Sequence, residues 1–333
     1  MSHQIRKIIG LGLVAIATLS LISIFDITPF STASLPALRS RPIHTVAQAS
    51  ERFAQVMLTA DADRLAAHVA AIAYPRFDEV DRIRARGYLI EQLTSFGWQV
   101  QLASFAEGTN LIADKPGTDA EAGRLVVGAH FDTVKDSPGA DDNASAVAAL
   151  LEIARLFGRQ SHPRSLQLVF FDQEESGLLG SLAYAENAAN LDKTMGAIIL
   201  EMLGYSCDTA GCQRYPGDLP FALPSDRGNF IGVIGDLGHP ELLSAFQATE
   251  RANLPPAITL PIPLSPSLPA DLLRSDHAPL WQKGIGAVLV TDTANFRNPH
   301  YHQPTDTAET LDFQFLTGVT QRVIDAVELL LKG

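Results

Sequence analysis

LVVGAHFDTVKDSPGADDNASAVAALLEIARLF, residues 125–157, and then SLQLVFFDQEESGLLGS, residues 165–181, form the stretch whose reading decides the fold. The apolar run Leu125–Ala129 ends at His130 and Asp132. A loop containing Pro138 and Gly139 then delivers Asp141, Asp142 and Asn143 directly before a helix of small residues. The second apolar run, Leu166–Phe171, ends at Asp172, Glu174 and Glu175. Two buried strands thus release acids and an imidazole at their C-terminal ends, where open α/β sheets keep their sites.

The same alternation extends outward. Leu65, Val69 and Ile72 recur at helical spacing, as do Phe53, Val56 and Met57, with a break expected at Ala60-Asp61. A helix is expected over 77–96, ended by Gly97, with the charged face DEVDRIRAR turned to solvent. Strands follow over 98–105, 109–114, 125–132, 166–172, 196–201, 230–234 and 287–291, with helices over 144–157, 178–188, 239–251 and 313–331. The proline-dense segment 254–269 reads as an extended surface loop. The expected fold is α/β: a three-layer α/β/α arrangement around a mainly parallel, mixed central sheet.

Composition narrows the function. The 333 residues are 46% hydrophobic, enough for a large core, and the net charge of −12 comes with no basic stripe, so nucleic acid is not an expected partner. Two cysteines, Cys207 and Cys212, are too few for a thiolate metal site. Carboxylates and imidazoles without thiols suit zinc or another hard-to-borderline divalent ion, which would also relieve the repulsion among crowded acids. His130 and Asp132, two apart on a strand, share a face, so His130 can bind metal while Asp132 orients its ring. Asp141, Asp142 or Asn143 could alternatively cap the helix that follows.

HFD, PGADDNAS, EESGLLGS and the later NPHYH, in that order, resemble the M28 family of co-catalytic zinc aminopeptidases. The resemblance implies a zinc peptidase fold of the phosphorylase/hydrolase type and two Zn²⁺ per chain. It implies Asp142 as a ligand shared by both metals, with His130 and Glu201 completing one set and Glu175 and His302 the other. His302 is preferred over its neighbour His300, and Glu201 stands where many members have Asp. Glu174 would be the general base, taking a proton from water and returning it to the leaving amine, with Asp132 assisting. A cis peptide between Asp142 and Asn143 is implied as well. The substrate would be a peptide with a free N-terminus. Two other readings remain: a glutaminyl cyclase-like enzyme with one zinc on His130, Glu175 and His302, or a non-catalytic, metal-stabilised binding domain. Ser275-Asp276-His277 holds the residue types of a serine triad, but consecutive residues cannot form that line, and a structural role is expected.

Arg6 and Lys7 precede an apolar run from Ile8 to Phe25. Residues 1–27 are therefore expected to be a signal sequence or a membrane anchor, 28–49 a linker and 50–333 the peptidase domain. Either reading exports the catalytic part, to be secreted or periplasmic, or held outside the membrane by the N-terminal segment alone. Export favours a disulfide between Cys207 and Cys212 across the short CDTAGC loop.

Overall fold

The computed structural model describes residues 58–216, 225–265 and 268–332. The expected N-terminal signal or anchor, the linker and the helical pattern at Phe53, Val56 and Met57 lie outside the described residues. Among those described, no helix is long and apolar enough to cross a membrane.

Helix α1 (Ala62–Ile72) begins where Asp61 caps it, its carboxylate accepting from the Asp63 and Arg64 amides. Helix α2 (Glu79–Ser95) ends before Gly97, whose positive φ of 89° turns the chain into the sheet. The strands are β1 (Gln99–Ser104), β2 (Thr109–Lys115), β3 (Arg124–His130), β4 (Ser165–Phe171), β5 (Thr194–Glu201), β6 (Ile231–Asp236), β7 (Ala257–Ile262) and β8 (Ala287–Thr291). The remaining helices are α3 (Ala146–Phe157), α4 (Leu179–Glu186), α5 (Ala188–Leu191), α6 (Pro240–Ala248), α7 (His277–Gln282) and α8 (Phe313–Lys332).

One mixed sheet of eight strands runs β1–β2–β4–β3–β5–β8–β6–β7. Its centre, β4–β3–β5–β8, is parallel, while the β1–β2, β2–β4 and β6–β8 pairs are antiparallel. Period-two alternation sorts the sheet's side chains onto two faces. Leu125, Val127 and Ala129 of β3 join the core formed with α1, α3, α6 and α8, whereas Val126 faces a smaller core formed with α4 and α7. The expected three layers are therefore present.

Two expectations are corrected. The charged face of α2 is not merely solvated: Arg82 and Arg86 reach the fully buried Asp172 at the end of β4, at 2.9 and 2.8 Å. Asp172 also accepts from the Thr109 amide, so it serves the fold rather than the acidic cluster beside it. Their recurrence four apart puts both arginines on one helix face, and only the tertiary contact distinguishes that face from a solvated one. The proline-dense segment, in turn, contains β7, which pairs in parallel with β6. Pro261 is tolerated because β7 is the last strand of the sheet, with one side unpaired.

Asp172→Ala would leave two nearly buried guanidinium groups without their carboxylate. We predict a loss of about 3–5 kcal/mol in unfolding free energy, measured by chemical denaturation. A loss under about 1 kcal/mol would show that water replaces the carboxylate.

Candidate metal centre

The residues that matter sit at the C-terminal ends of β3, β4 and β5 and on two loops. Between β3 and α3 the chain makes a wide turn over Ala140–Ser145, entered through Gly139 at φ 60°. A Cβ at Gly139 would lie 2.2 Å from the Asp142 carbonyl oxygen, so this entry requires glycine. The Asp142–Asn143 peptide is cis. None of Asp141, Asp142 and Asn143 caps α3; its N-cap position, Ser145, makes no side-chain cap bond either. Instead Asp141, Asn143 and Ser145 accept from the amides of Gly204, Met202 and Leu203, pinning the segment that leaves β5 and carries Glu201.

Two groups of ligand-type atoms converge, each within 4.8 Å: His130, Asp142 and Glu201, and Asp142, Glu175 and His302. The two Asp142 oxygens diverge between them. Oδ1 lies 3.4 Å from His130 Nε2, and Oδ2 lies 3.2 Å from His302 Nε2. Glu201 Oε1 is 3.3 Å from His130 Nε2, and Glu175 Oε2 is 3.0 Å from His302 Nε2. His302 Nε2, buried beside Asp142 Oδ2 and Glu175 Oε2, makes no hydrogen bond, which suits an atom shared with those oxygens around an ion. An all-oxygen-and-imidazole donor set fits zinc. The set His130, Glu175 and His302, expected of a cyclase-like centre, is not among the converging groups of the described residues. His300 bonds Thr305 and packs against Tyr205 instead.

Asp132 does more than orient a ring. One oxygen lies 3.5 Å from His130 Nδ1 and accepts from the Glu174 amide, and the other accepts from the Glu175 amide. It thereby sets both glutamates relative to His130. Glu174 belongs to neither ligand group, yet its Oε2 lies 4.0 Å from His130 Nε2.

Burial pushes the Glu174 carboxyl well above the usual range; the His130 charge opposes this, while Glu201, Asp276 and Glu175 add to it. Burial, with Asp142 beside it, raises Glu175 to about 7. Burial alone would depress both histidines, but carboxylates outweigh it: Glu201 and Glu174 chiefly raise His130, while Asp142 and Glu175 raise His302 to about 10. The same histidines hold Asp142 below the ordinary carboxylate range against the effect of its burial.

The peptidase family M28 model matches residues 110–327. The chain belongs to this family. It is 34% identical over 275 residues to the uncharacterized protein YfbL of Escherichia coli, covering 77% of this chain and 84% of that protein. It is 28% identical over 219 residues to aminopeptidase YwaD of Bacillus subtilis, covering 61% of this chain but only 41% of that longer protein. Among solved structures, an aminopeptidase from Aneurinibacillus sp. strain AM-1 superposes with a TM-score of 0.64 at 16% identity, covering 84% of this chain and 96% of that one. A glutaminyl cyclase from Porphyromonas gingivalis gives 0.60 at 22%, covering 81% and 98%. At these identities the two structures show a shared fold.

In this M28 chain, Asp306, Arg76 and the contact of Ser275 with the cluster were missed from the sequence, whereas His277 is structural, as expected. Asp306 is buried, and its two carboxylate oxygens accept from the Asp141 and Asp142 amides while its carbonyl accepts from Ala140. It lies four residues after His302, so the loop carrying one ligand also holds the backbone of another. Ser275 donates to Glu201 Oε2 at 2.8 Å, giving the longer glutamate a fixed second contact. His277 is buried with Nε2 on the Leu272 carbonyl, as a structural residue. Arg76, fully buried, donates to the Phe131, Tyr74, Pro138 and Gly139 carbonyls, and to that of Ile72, tying the end of β3 to the turn.

The Cys207–Cys212 disulfide is formed. The chain just beyond it, Arg214 to Pro216, lines a cavity of about 510 Å³ with the ligand cluster at its floor.

Two expectations follow. Carboxylates around His130 and His302 favour the protonated imidazoles, and a metal binding there competes with those protons. Zn²⁺ affinity, measured by chelator competition, should rise about tenfold per pH unit for each proton released. A flat profile between pH 6 and 8 would contradict the raised values. Asp306→Asn should fold but bind metal about 10–100-fold more weakly, as titration calorimetry would show, because one of two backbone donors loses its acceptor.

Proposed function

We propose that this protein removes single residues from the free N-termini of peptides, using two zinc ions. The observation that carries this reading is the pair of ligand groups sharing Asp142, with a buried carboxyl, Glu174, beside them and outside both. A metal pair in such a site supplies Lewis acidity toward a carbonyl oxygen and acidifies water. The chain's own residues do the rest. His130, Asp142, Glu201, Glu175 and His302 hold the ions, and Asp132 fixes the glutamate backbone.

Glu174, buried beside the two ligand groups and outside both, takes the proton from the attacking water and passes it to the departing amine nitrogen. An ammonium at the substrate's N-terminus finds carboxylates at the cavity floor, where Glu174 and Glu201 both line the wall. Relatives named as aminopeptidases support this choice among peptidase activities. The apolar walls receive the side chain of the residue being released: Phe230, Ile234, Ile258, Leu260 and Leu289.

Export also supports the reading. The positive flank and apolar run of residues 6–25 would take the domain across a membrane, whether as a cleaved signal or a retained anchor. The disulfide fits an oxidising compartment.

Glu174→Gln should retain its metal content by elemental analysis while kcat/KM on leucyl-arylamides falls about 10²–10⁴-fold. N-acetylated substrates should not be cleaved by either protein. Loss of metal together with activity would make Glu174 a ligand, and equal rates on free and acetylated substrates would reject the aminopeptidase.

A further inference from the structure

The buried part of the cavity lining is acidic, with Asp142 and Glu174, but its exposed part carries two arginines, Arg214 and Arg274, which flank Asn295. Arg274 donates to the Asn295 side-chain oxygen and Arg214 to its carbonyl. Arg274 also donates to the Tyr301 hydroxyl at 2.8 Å, and the Tyr301 ring stacks on His302 with centroids 3.7 Å apart. The Arg274 guanidinium carbon lies 5.7 Å from the Tyr301 centroid. These two steps place the cation within about two to three residues of extended chain from the metal ligand His302.

Neither arginine is committed to a buried partner. Arg274 pairs with Asp271 at 3.1 Å, but both side chains are about 40% exposed, and such a pair is worth little. Among the described residues no carboxylate pairs with Arg214. In a chain of net charge −12, two guanidinium groups facing one acidic cavity form a local cation site. Guanidinium groups bind carboxylates in preference to other peptide groups.

Building on the aminopeptidase reading above, we infer that Arg274 and Arg214 receive the C-terminal carboxylate of a short substrate, so that di- and tripeptides are preferred. With its N-terminus at the floor and its first side chain against the apolar wall, a tripeptide directs its chain end toward the mouth. A carboxylate there gains charge-assisted hydrogen bonds that an amide does not. An acidic side chain just after the scissile bond would present the same chemistry from a different source.

The test uses the zinc-loaded full chain and four peptides: Leu-Gly-Gly, its C-terminal amide, Leu-Asp-amide and Leu-Asn-amide. We expect kcat/KM to be about tenfold higher for Leu-Gly-Gly than for its amide, mainly through KM, with little difference between the Asp and Asn amides. Arg214→Gln and Arg274→Lys should each shrink the acid-to-amide ratio. Because a ratio is read within one variant, a general loss of activity does not mimic the effect. Equal rates on acid and amide, or a ratio unmoved by both variants, would overturn this inference and leave the aminopeptidase standing. A gain confined to Leu-Asp-amide would overturn the terminal assignment in favour of a side-chain carboxylate. Cleavage of none of the four would overturn the aminopeptidase and this inference together.

Discussion

The fold is arranged around a surplus of buried negative charge. Asp132, Asp142 and Glu174 are each less than a tenth exposed, and Glu175 and Glu201 stand beside them with only two imidazoles for company. Carboxylates so placed must protonate, pair or bind cations, because the dry interior does not stabilise isolated charge. The raised carboxyl groups of Glu174 and Glu175 and the raised imidazoles of His130 and His302 are two sides of that pressure. Asp142 differs in kind: contact with both histidines favours its ionised form, and the same geometry would let one carboxylate serve two ions.

Holding five ligands from five parts of the chain takes backbone control, and here acceptors provide most of it. Asp132 takes the amides of Glu174 and Glu175, Asp306 those of Asp141 and Asp142, and Asp141, Asn143 and Ser145 those following Glu201. Each bond crosses between segments far apart in sequence, so the ligand loops form one hydrogen-bonded unit rather than separate strand ends. Buried bonds of this kind are costly to leave half made, since an orphaned amide in the interior has no water to turn to. The result is a shell that holds the candidate ligands within reach of one another, as preorganised sites require.

Much of this was legible from the sequence, and the reasons for the gaps are physical. The strand ends and the candidate ligands that the fold brings together stand out because a metal site needs particular residue types beside apolar runs, a local pattern. The supporting residues carry no such mark. Asp306 looks like any loop acid in QPTDT, and Ser275 like any loop serine, until folding brings them to Asp142 and Glu201. Arg82 and Arg86 sit in a run that reads as a solvated face, because their partner Asp172 is distant in sequence. The strand β7 was hidden by its prolines, which signal a loop unless the strand is known to be an edge. Short α7 lacks the length for a period to show. What escapes is, in each case, a long-range contact rather than a local preference.

The cavity lies where, among the described residues, the helices of the third layer stop short of β6 and β7. On one face, α1, α3, α6 and α8 cover the sheet through to Ile231 and Val233 of β6. On the other, α4 and α7 pack over the central strands, and the alternate residues Gly232 and Ile234, with Ile258 and Leu260 of β7, line the cavity. A sheet face of apolar side chains left open beside a charged cluster is unfavourable in water, and burying it returns roughly 25 cal/mol per Å². Gly232 adds depth at that wall by presenting no side chain. On the proposed reading, the side chain of the released residue fills this uncovered apolar wall, beside the strand ends that carry Glu201 and His130. The strand order, with β8 between β5 and β6, sets the apolar wall beside the candidate ligands at the ends of β5 and β3.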